Sequence, residues 1–255
     1  MKKLILFAPI LTIFLVSFTP KSVKTVHIAV AANMQFVMEQ MKTEFEKQTG
    51  IIIEMSVGSS GKLATQIMEK APFDVFVSAD MNNPNELFKK GFATTHPEVY
   101  ATGTLVLWTM RTDLTPAKDL NVLLLDGVKK IAIANPKTAP YGDAAQQVLE
   151  HHKIYDKVKD KLVFGENIGQ AFQFVVTQAA DIGFVAKSEV LSDEMKGKGK
   201  WIDIDKNDYK PIAQGAVLLT HGTEQNKENS MLFYKFLYSK EAKAIYKKYG
   251  YIVNE

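Results

Sequence analysis

The sequence predicts an α/β protein of two lobes, with mixed sheets flanked by helices and a ligand cleft between the lobes. Short apolar strands alternate along the chain with amphipathic helices, and this alternation is typical of sheets covered by helices. Three of the strands end in small or polar residues that open the next helix, at residues 27–34, 51–61 and 131–142. The chain has 255 residues, which is enough for one large domain or two modest lobes.

The first part of the chain predicts a β-α-β-α-β unit. A helix over residues 34–48 is indicated by Val37, Met41 and Phe45, which recur at four-residue spacing, and Gly50 ends it. The strands and helices that follow are predicted at residues 51–57, 62–69, 74–80 and 85–90. This order of elements favours a parallel sheet with helices on both faces.

A second α/β unit follows, and the end of the chain is mostly helical. The strands of this unit are predicted at residues 104–110, 131–134, 162–164 and 182–185, and its helices at 142–151 and 168–178. A long apolar strand over 212–219 precedes two helices, at 231–237 and 241–249. Ligands bind at domain interfaces and beyond the C-terminal ends of strands, so the cleft between the lobes is the expected site.

The first 24 residues predict a signal peptide that is not part of the fold. Lys2 and Lys3 precede an apolar run over residues 4–18, which is the pattern of a secretory signal. The run is shorter than the roughly 20 apolar residues that a membrane span needs, and an uncleaved anchor stays as the alternative. The chain contains no cysteine, so lipid attachment at a cysteine is excluded and a secreted protein that is not a lipoprotein is expected.

Composition and charge exclude several classes of function. The full chain carries 31 basic and 28 acidic residues, and residues 1–22 hold lysines but no acid. Without that segment the chain is electrically balanced, which gives no indication of a nucleic-acid partner. The absence of cysteine also excludes thiol catalysis and cysteine-ligated metals.

Several motifs of enzymes and metalloproteins are absent. Residues 58–62 are similar to a phosphate-binding loop, but Leu63 stands where that motif needs Ser or Thr, and no G-x-S-x-G or G-x-G-x-x-G motif is present. The five histidines are His27, His96, His151, His152 and His221. None has metal-ligand spacing, so we expect them at the surface or in the core. Asp74 and Asp80 flank a strand, where Asp more often caps and turns the chain than acts in acid-base chemistry.

The three strand-to-helix junctions predict an anion-binding site. A helix N-terminus presents unpaired backbone N–H groups and the positive end of the helix dipole, so several such ends aimed at one point bind an anion without Lys or Arg. Ser, Asn and Thr are also common N-caps with no further role, and each junction taken alone fits that structural interpretation. The alternative from another class is a secreted hydrolase that uses Ser59 or Ser60 as nucleophile and needs a base within reach.

Seven segments of the chain, taken together and in order, resemble a known protein family, although none of them is specific to it alone. They are residues 31–34, 58–64, 71–80, 135–142, 166–168, 180–185 and 239–251. The set, with a fourth junction at 165–168, resembles the periplasmic molybdate-binding proteins of ABC transporters, the ModA family. The resemblance covers the whole chain after the predicted signal peptide.

This resemblance implies the type II periplasmic binding protein fold, in which two lobes close on a tetrahedral oxyanion. The first lobe is then discontinuous and comprises residues 25–103 and 209–255, and the second lobe comprises residues 104–208. The implied function is capture of molybdate or tungstate in the periplasm by a monomer, without catalysis or a cofactor, for a membrane permease and its ATPase. A binding protein for another oxyanion, such as sulfate, stays an alternative because the sequence does not show the size of the cavity.

The resemblance also implies which residues contact the anion, with no side chain bonded directly to the metal. They are Asn33, Ser59, Ser60, Tyr141 and Ile168, the last through its backbone. Many relatives have Ser at the position of Asn33 and a tyrosine hydroxyl at the position of Ala186, and Tyr141 would supply that hydroxyl here. A site made only of donors suits an anion that is fully ionised at neutral pH. Asp143 and Glu166, which lie near the loops, are therefore expected to point away.

Overall fold

The computed structural model describes residues 24–253. Apart from Lys24, the predicted signal peptide lies outside the described residues. Within residues 24–253, no helix has the length and apolar character that a membrane span requires. The described chain folds into two five-stranded sheets flanked by helices, which confirms the predicted fold class.

Each sheet mixes parallel and antiparallel strands. The strands are β1 (Thr25–Ala31), β2 (Ile52–Gly58), β3 (Val75–Val77), β4 (Glu98–Gly103), β5 (Leu105–Thr109), β6 (Ile131–Ala134), β7 (Leu162–Gly165), β8 (Ile182–Ala186), β9 (Lys200–Asp203) and β10 (Ile212–Leu218). The first sheet has the order β2-β1-β3-β10-β4, and the second has the order β7-β6-β8-β5-β9. We use the name lobe for the part of the chain built on each sheet.

Helices cover the sheets. They are α1 (Gln35–Thr49), α2 (Ser60–Met68), α3 (Asn82–Lys89), α4 (Pro140–His151), α5 (Tyr155–Val158), α6 (Ile168–Val176), α7 (Lys187–Val190), α8 (Thr220–Gln225), α9 (Lys227–Phe236) and α10 (Lys240–Lys248). A short 3-10 turn over Ala32–Met34 joins β1 to α1. The predicted stop of α1 is present, because Gly50 adopts a left-handed φ of 68° and its N–H donates to the carbonyl of Glu46.

The first sheet receives its last inner strand from the C-terminal part of the chain. β1 pairs in parallel with β2 and β3, as the β-α-β-α-β pattern predicts. β10 then pairs antiparallel with both β3 and β4, so the sheet as a whole is mixed. Successive residues of β1 face opposite sides of the sheet. Ile28 packs in the core with α1, α9 and α10, whereas Ala29 packs in the core with α2 and α3.

The core of the second lobe surrounds the second sheet. Trp108 of β5 is fully buried and stacks on Phe172 of α6, with 5.3 Å between the ring centroids. Its indole N–H donates to the carbonyl of Lys198 at 3.2 Å, which satisfies the polar atom of this large buried side chain. This packing holds α6 against the sheet and therefore sets the position of the N-terminus of α6.

The sequence-based prediction missed two strands, β4 and β9, and the three short helices α5, α7 and α8. Both strands lie at the edge of a sheet, where one side of each strand has no partner strand. β9 is partly or fully exposed along its length, so it lacks the apolar run by which inner strands are recognised. The helix predicted at 231–237 begins earlier, at Lys227.

The chain passes between the two sheets at two places within the described residues. β4 ends at Gly103 and β5 begins at Leu105, and β9 ends at Asp203 before β10 begins at Ile212. The boundaries predicted from the resemblance, after residues 103 and 208, fall in these two connections. The division of the chain into mechanical lobes at those points stays a prediction.

Candidate anion-binding cavity

A small cavity lies between the two lobes, with about 10 Å³ of space for the centre of a water-sized sphere. All five residues predicted to contact an anion line this cavity: Asn33, Ser59, Ser60, Tyr141 and Ile168. Its other walls are backbone and small side chains, together with Asn167. The structure therefore brings the predicted site residues together, although they are separated by up to 135 positions in the chain.

Four strand-to-helix junctions form the cavity. The ends of β1 and β2 contribute the 3-10 turn at Ala32 and the start of α2 at Ser60. The second lobe contributes the starts of α4 at Pro140 and of α6 at Ile168, which follow β6 and β7. Each junction places the first residues of a helix or turn in the cavity wall, and the N–H groups at such positions are suited to bind an anion.

The two serines at the start of α2 offer hydroxyl groups to the cavity. Ser60 Oγ accepts the N–H of Ala79 at 2.9 Å, so its own hydroxyl hydrogen is available to another acceptor. Ser59 is the N-cap residue of α2, but its side chain makes no capping hydrogen bond, and its buried Oγ has no partner among the described residues. Because buried hydroxyl groups are rarely left without a partner, Ser59 Oγ is a strong candidate to bind a ligand.

Tyr141 lines the cavity, and its hydroxyl has a hydrogen-bond partner that does not line it. Pro140, the first residue of α4, has no N–H, so the N–H of Tyr141 is the first donor of that helix. The Tyr141 hydroxyl instead accepts from Nε2 of Gln214 at 3.0 Å, and neither Gln214 nor its neighbour Gly103 lines the cavity. Burial raises the pKa of Tyr141 well above its usual value, so the hydroxyl stays neutral. That this hydroxyl contacts the anion directly stays a prediction.

Ile168 contributes the first N–H of α6. The preceding residue, Asn167, is the N-cap and accepts the N–H of Gln170 through its side-chain oxygen at 3.0 Å. This cap fixes the direction of the first turn of the helix. The backbone of Ile168 is therefore placed at the cavity as predicted from the resemblance.

No charged side chain is among the residues that line the cavity. Asp143 and Glu166, the two nearby acids, do not line it: Asp143 accepts from the side chain of Gln147, and Glu166 pairs with Lys62. The lining residues also include no histidine, so neither serine has an adjacent base. The cavity thus offers hydrogen-bond donors and helix dipoles but no catalytic pair.

The family model of the bacterial extracellular solute-binding proteins matches residues 26–252. The chain belongs to this family.

Two curated relatives of this solute-binding protein carry the name molybdate-binding protein ModA. The one from Rhodobacter capsulatus is 38% identical over 234 residues, which cover 91% of this chain and 90% of the relative. The one from Azotobacter vinelandii is 40% identical over 227 residues, which cover 89% of each. The solved structure of the Azotobacter vinelandii periplasmic molybdate-binding protein matches with a TM-score of 0.85 at 37% identity, and covers 90% of this chain and 100% of that chain. These matches confirm the resemblance to the ModA proteins.

The two lobes of this solute-binding protein are in contact beside the cavity. The N–H of Gly61 in α2 donates to the carbonyl of Thr138 in the second lobe at 3.1 Å. Nearby, Lys62 forms a half-exposed ion pair with Glu166 at 2.9 Å, again between the lobes. A Cβ atom at Gly61 would stand 3.1 Å from the carbonyl oxygen of Thr138, so glycine permits this close approach.

Ala186, which stands where many relatives have Tyr, does not line the cavity. It is fully buried at the end of β8, and its N–H donates to Oε2 of Glu189 at 2.9 Å. Glu189 is only 1% exposed, and its Oε1 has no partner among the described residues. The sequence-based prediction missed Glu189, although a Glu three residues after a helix start is a known capping signal.

Glu189 lies close to the start of α6, and its burial favours the neutral form of its carboxyl group. Its Oε1 would lie 4.0 Å from a Cβ atom at Gly169, in the first turn of that helix. Burial raises the pKa of Glu189 well above its usual value, and the hydrogen bond from Ala186 opposes this effect only in part. The neutral carboxyl group adds no negative charge beside the cavity.

We expect Glu189→Gln to stabilise the ligand-free protein more at pH 8 than at pH 5. The folded protein binds the Glu189 proton more tightly than the unfolded chain, so wild-type stability falls as pH rises above the unfolded pKa. Gln keeps the acceptor for Ala186 and does not ionise. Thermal unfolding at both pH values should show a Tm difference of a few degrees that grows with pH, since about 1 kcal/mol shifts Tm by roughly 2–4 °C at this size. A difference that shrinks with pH would contradict the shifted pKa.

The remaining residues considered in the sequence analysis have partners elsewhere. Asp74 accepts the N–H of His27 and contacts Nδ1 of His221, and Asp80 accepts from Asn83 in the first turn of α3. These contacts support the structural interpretation of both aspartates. His151 and His152 lie beside Asp208, and no group of side chains suited to hold a metal ion occurs among residues 24–253.

Proposed function

We propose that this protein binds molybdate or tungstate outside the cytoplasm and delivers the anion to an ABC permease and its ATPase. The observation that carries the proposal is a small cavity between two lobes, lined by four strand-to-helix junctions and by no charged side chain. Two relatives with 38% and 40% identity are named as molybdate-binding proteins, which supports this choice of anion. The protein is proposed to act as a binding protein and not as an enzyme.

The donors around the cavity account for tight binding of a dianion. The hydroxyl groups of Ser59 and Ser60 and the N–H groups of Tyr141 and Ile168 are available to oxygen atoms of the ligand. Hydrogen bonds to a charged acceptor contribute roughly 1.5–3 kcal/mol each. After the cost of closing the lobes, such a set supports a Kd roughly in the micromolar-to-nanomolar range.

The size and polarity of the cavity limit the ligand. The cavity is far smaller than the roughly 300 Å³ at which pockets for drug-sized molecules begin, so it suits a small ion and not an organic ligand. With no acidic side chain in the lining, the cavity does not repel a dianion. It also lacks a carboxylate to accept the hydrogen of a protonated oxyanion, which favours ions that are fully ionised at neutral pH.

Calorimetric titration of the purified protein with molybdate, tungstate, sulfate and phosphate tests the proposal. We expect one molybdate or tungstate ion per chain, and binding of sulfate and phosphate at least roughly 100-fold weaker, a difference of about 2.7 kcal/mol. Tight binding of sulfate or phosphate with no response to molybdate would overturn the assignment of the ligand. Heat from none of the four anions would overturn the oxyanion site itself.

Three further expectations belong to the same proposal. The protein acts in the periplasm after removal of the signal peptide predicted at residues 1–24, it is a monomer, and it needs no cofactor to bind the anion. Size-exclusion chromatography with and without molybdate measures the oligomeric state of the protein.

A further inference from the structure

Asn33 lies at the end of a buried chain of hydrogen bonds that leads away from the cavity. Its Nδ2 donates to Oε1 of Gln214 at 3.0 Å and to the hydroxyl of Tyr251 at 2.8 Å. Gln214 is a fully buried residue of β10, and its Nε2 donates to the hydroxyl of Tyr141 at 3.0 Å. Gln214 therefore connects Asn33 in the first lobe with Tyr141 in the second.

In this orientation of the two amides, the unused group of Asn33 is a hydrogen-bond acceptor, whereas an anion needs a donor. Both hydrogens of Nδ2 are used by Gln214 and Tyr251, whereas Oδ1 is buried and has no partner among the described residues. An amide donates only through its nitrogen and accepts only through its oxygen. Asn33 lines the cavity with an unused acceptor, and a fully ionised oxyanion has no hydrogen to give to it.

If both amides turn over, the Tyr251 hydroxyl turns its hydrogen from the backbone oxygen of Asn33, 3.0 Å away, to Oδ1 of Asn33, 2.8 Å away. The backbone oxygen of Asn33 keeps the hydroxyl of Ser188 as donor at 2.8 Å. Nε2 of Gln214 then donates to Oδ1 of Asn33, and Oε1 of Gln214 accepts from the hydroxyl of Tyr141. The Tyr100 hydroxyl lies 2.8 Å from both the backbone oxygen of Ser78 and the Gln214 amide, so it donates to the former and accepts from the latter. Nδ2 of Asn33 becomes the unused group, and it is a donor. The heavy atoms keep nearly the same positions in both orientations.

We propose that Gln214 is a positioning residue whose amide turns over together with that of Asn33, so that Asn33 donates to the bound anion. Gln214 does not line the cavity and acts through Asn33. The inference rests on the proposed function and deepens it, because the orientation of one buried amide decides which oxyanions are accepted. With Nδ2 toward the anion the cavity contains donors only, whereas with Oδ1 toward it the cavity accepts the hydrogen of hydrogenphosphate.

Gly103 supplies the space in which Gln214 meets Tyr141. A Cβ atom at this position would overlap both the Tyr141 hydroxyl and Nε2 of Gln214. Gly103 is the last residue of β4, at the connection through which the chain enters the second lobe. The contact between Gln214 and Tyr141 is thus built into the junction of the two lobes.

The variant Gln214→Glu tests the proposal by anion selectivity at pH 8. A carboxylate at this position accepts from Nδ2 of Asn33 and from the hydroxyl groups of Tyr100 and Tyr141, and these three donors favour its ionised form despite burial. Because it only accepts, it keeps Nδ2 of Asn33 on itself and leaves Oδ1 toward the cavity. Molybdate and hydrogenphosphate are both dianions at this pH, so the added negative charge repels them equally. We expect molybdate affinity to fall by roughly 100-fold or more, and the ratio of molybdate to hydrogenphosphate affinity to fall at least roughly tenfold. Equal losses for the two anions would overturn the proposal.

Gln214→Met is the matched control, because Met has a similar length and neither donates nor accepts. It should weaken molybdate binding while it changes the ratio of the two affinities less than Gln214→Glu does. If both variants change the ratio to the same extent, packing and not amide orientation is responsible, and the proposal fails. The wild-type protein must bind molybdate in the same assay. If it does not, the proposed function is overturned, and not only the role of Gln214.

The side-chain amide NMR signals of the wild-type protein give a second test, which does not depend on whether any variant folds. We expect the Asn33 and Gln214 side-chain ¹⁵N–¹H signals both to shift on saturation with molybdate, since both amides exchange their partners. A shift of the Asn33 signals with unchanged Gln214 signals would overturn the coupled turn. This measurement also tests the coupled turn of the two amides if hydrogenphosphate binds too weakly for its affinity to be measured.

Discussion

Replacing Ser59 with Asp is expected to abolish molybdate binding in a protein that still folds. Ser59 is the N-cap of α2, a position that Asp fills as well as Ser does, so the helix keeps its start. Its Oγ is buried at the cavity without a partner. A carboxylate there faces the dianion with no cation in the lining, and at about 5 Å the repulsion is roughly 6–7 kcal/mol for an effective dielectric constant of about 20.

Part of this repulsion is avoided when the new carboxyl group takes up a proton, so we expect a loss of roughly 1,000-fold or more at pH 8. Ser59→Asn is the control, since Asn has the shape of Asp, caps helices equally well and carries no charge. Calorimetry should show a much smaller loss for Asn than for Asp, and thermal unfolding should show similar stability of both variants without ligand. Similar affinities of the Asp and Asn variants would place Ser59 away from the anion.

The residues that line the candidate cavity were largely predictable because they stand at local sequence signals. Ser59, Ser60 and Ile168 stand at helix starts, and the residues that begin a helix are recognisable from a few neighbouring positions. Their convergence on one cavity depends on the parallel strands β1, β2, β6 and β7, whose ends carry these junctions. The alternation of strands and helices along the chain predicts such an arrangement, and the resemblance specified which junctions meet.

The residues that surround the site could not be predicted in the same way. Gln214 lies 181 positions from Asn33, and the side chain of Glu189 accepts only from the N-cap residue of its own short helix among the described residues. Nothing in the sequence near either residue indicates that it is buried beside an anion site. The same holds for the Tyr141 hydroxyl, whose direction is set by Gln214 and by the absence of a side chain at Gly103. Such features depend on tertiary contacts and not on local pattern.

Gly142→Ala is expected to weaken molybdate binding by displacing the start of α4. A Cβ atom at Gly142 would stand 2.7 Å from the carbonyl carbon of Ala134 and 2.9 Å from that of Asn135, both of them backbone atoms that cannot rotate away. Either the helix or the end of β6 must move, and the helix carries the N–H of Tyr141. Overpacking of this kind costs about 1–3 kcal/mol of stability. We expect a loss of affinity of roughly 10- to 100-fold, because one charge-assisted hydrogen bond is weakened or lost.

The matched control is Gly127→Ala in the same lobe, where an added Cβ atom meets open space. Both variants replace a glycine by alanine, so their effects on the unfolded chain are similar and the difference reports on the contact between α4 and β6. Calorimetry at a temperature well below both Tm values separates loss of binding from loss of folding. If Gly142→Ala lowers Tm but binds molybdate as tightly as Gly127→Ala, then the start of α4 stabilises the lobe without holding the anion. In that case α6 would be the only predicted donor helix of the second lobe that contacts the anion. The site would then consist of three strand-to-helix junctions and not four.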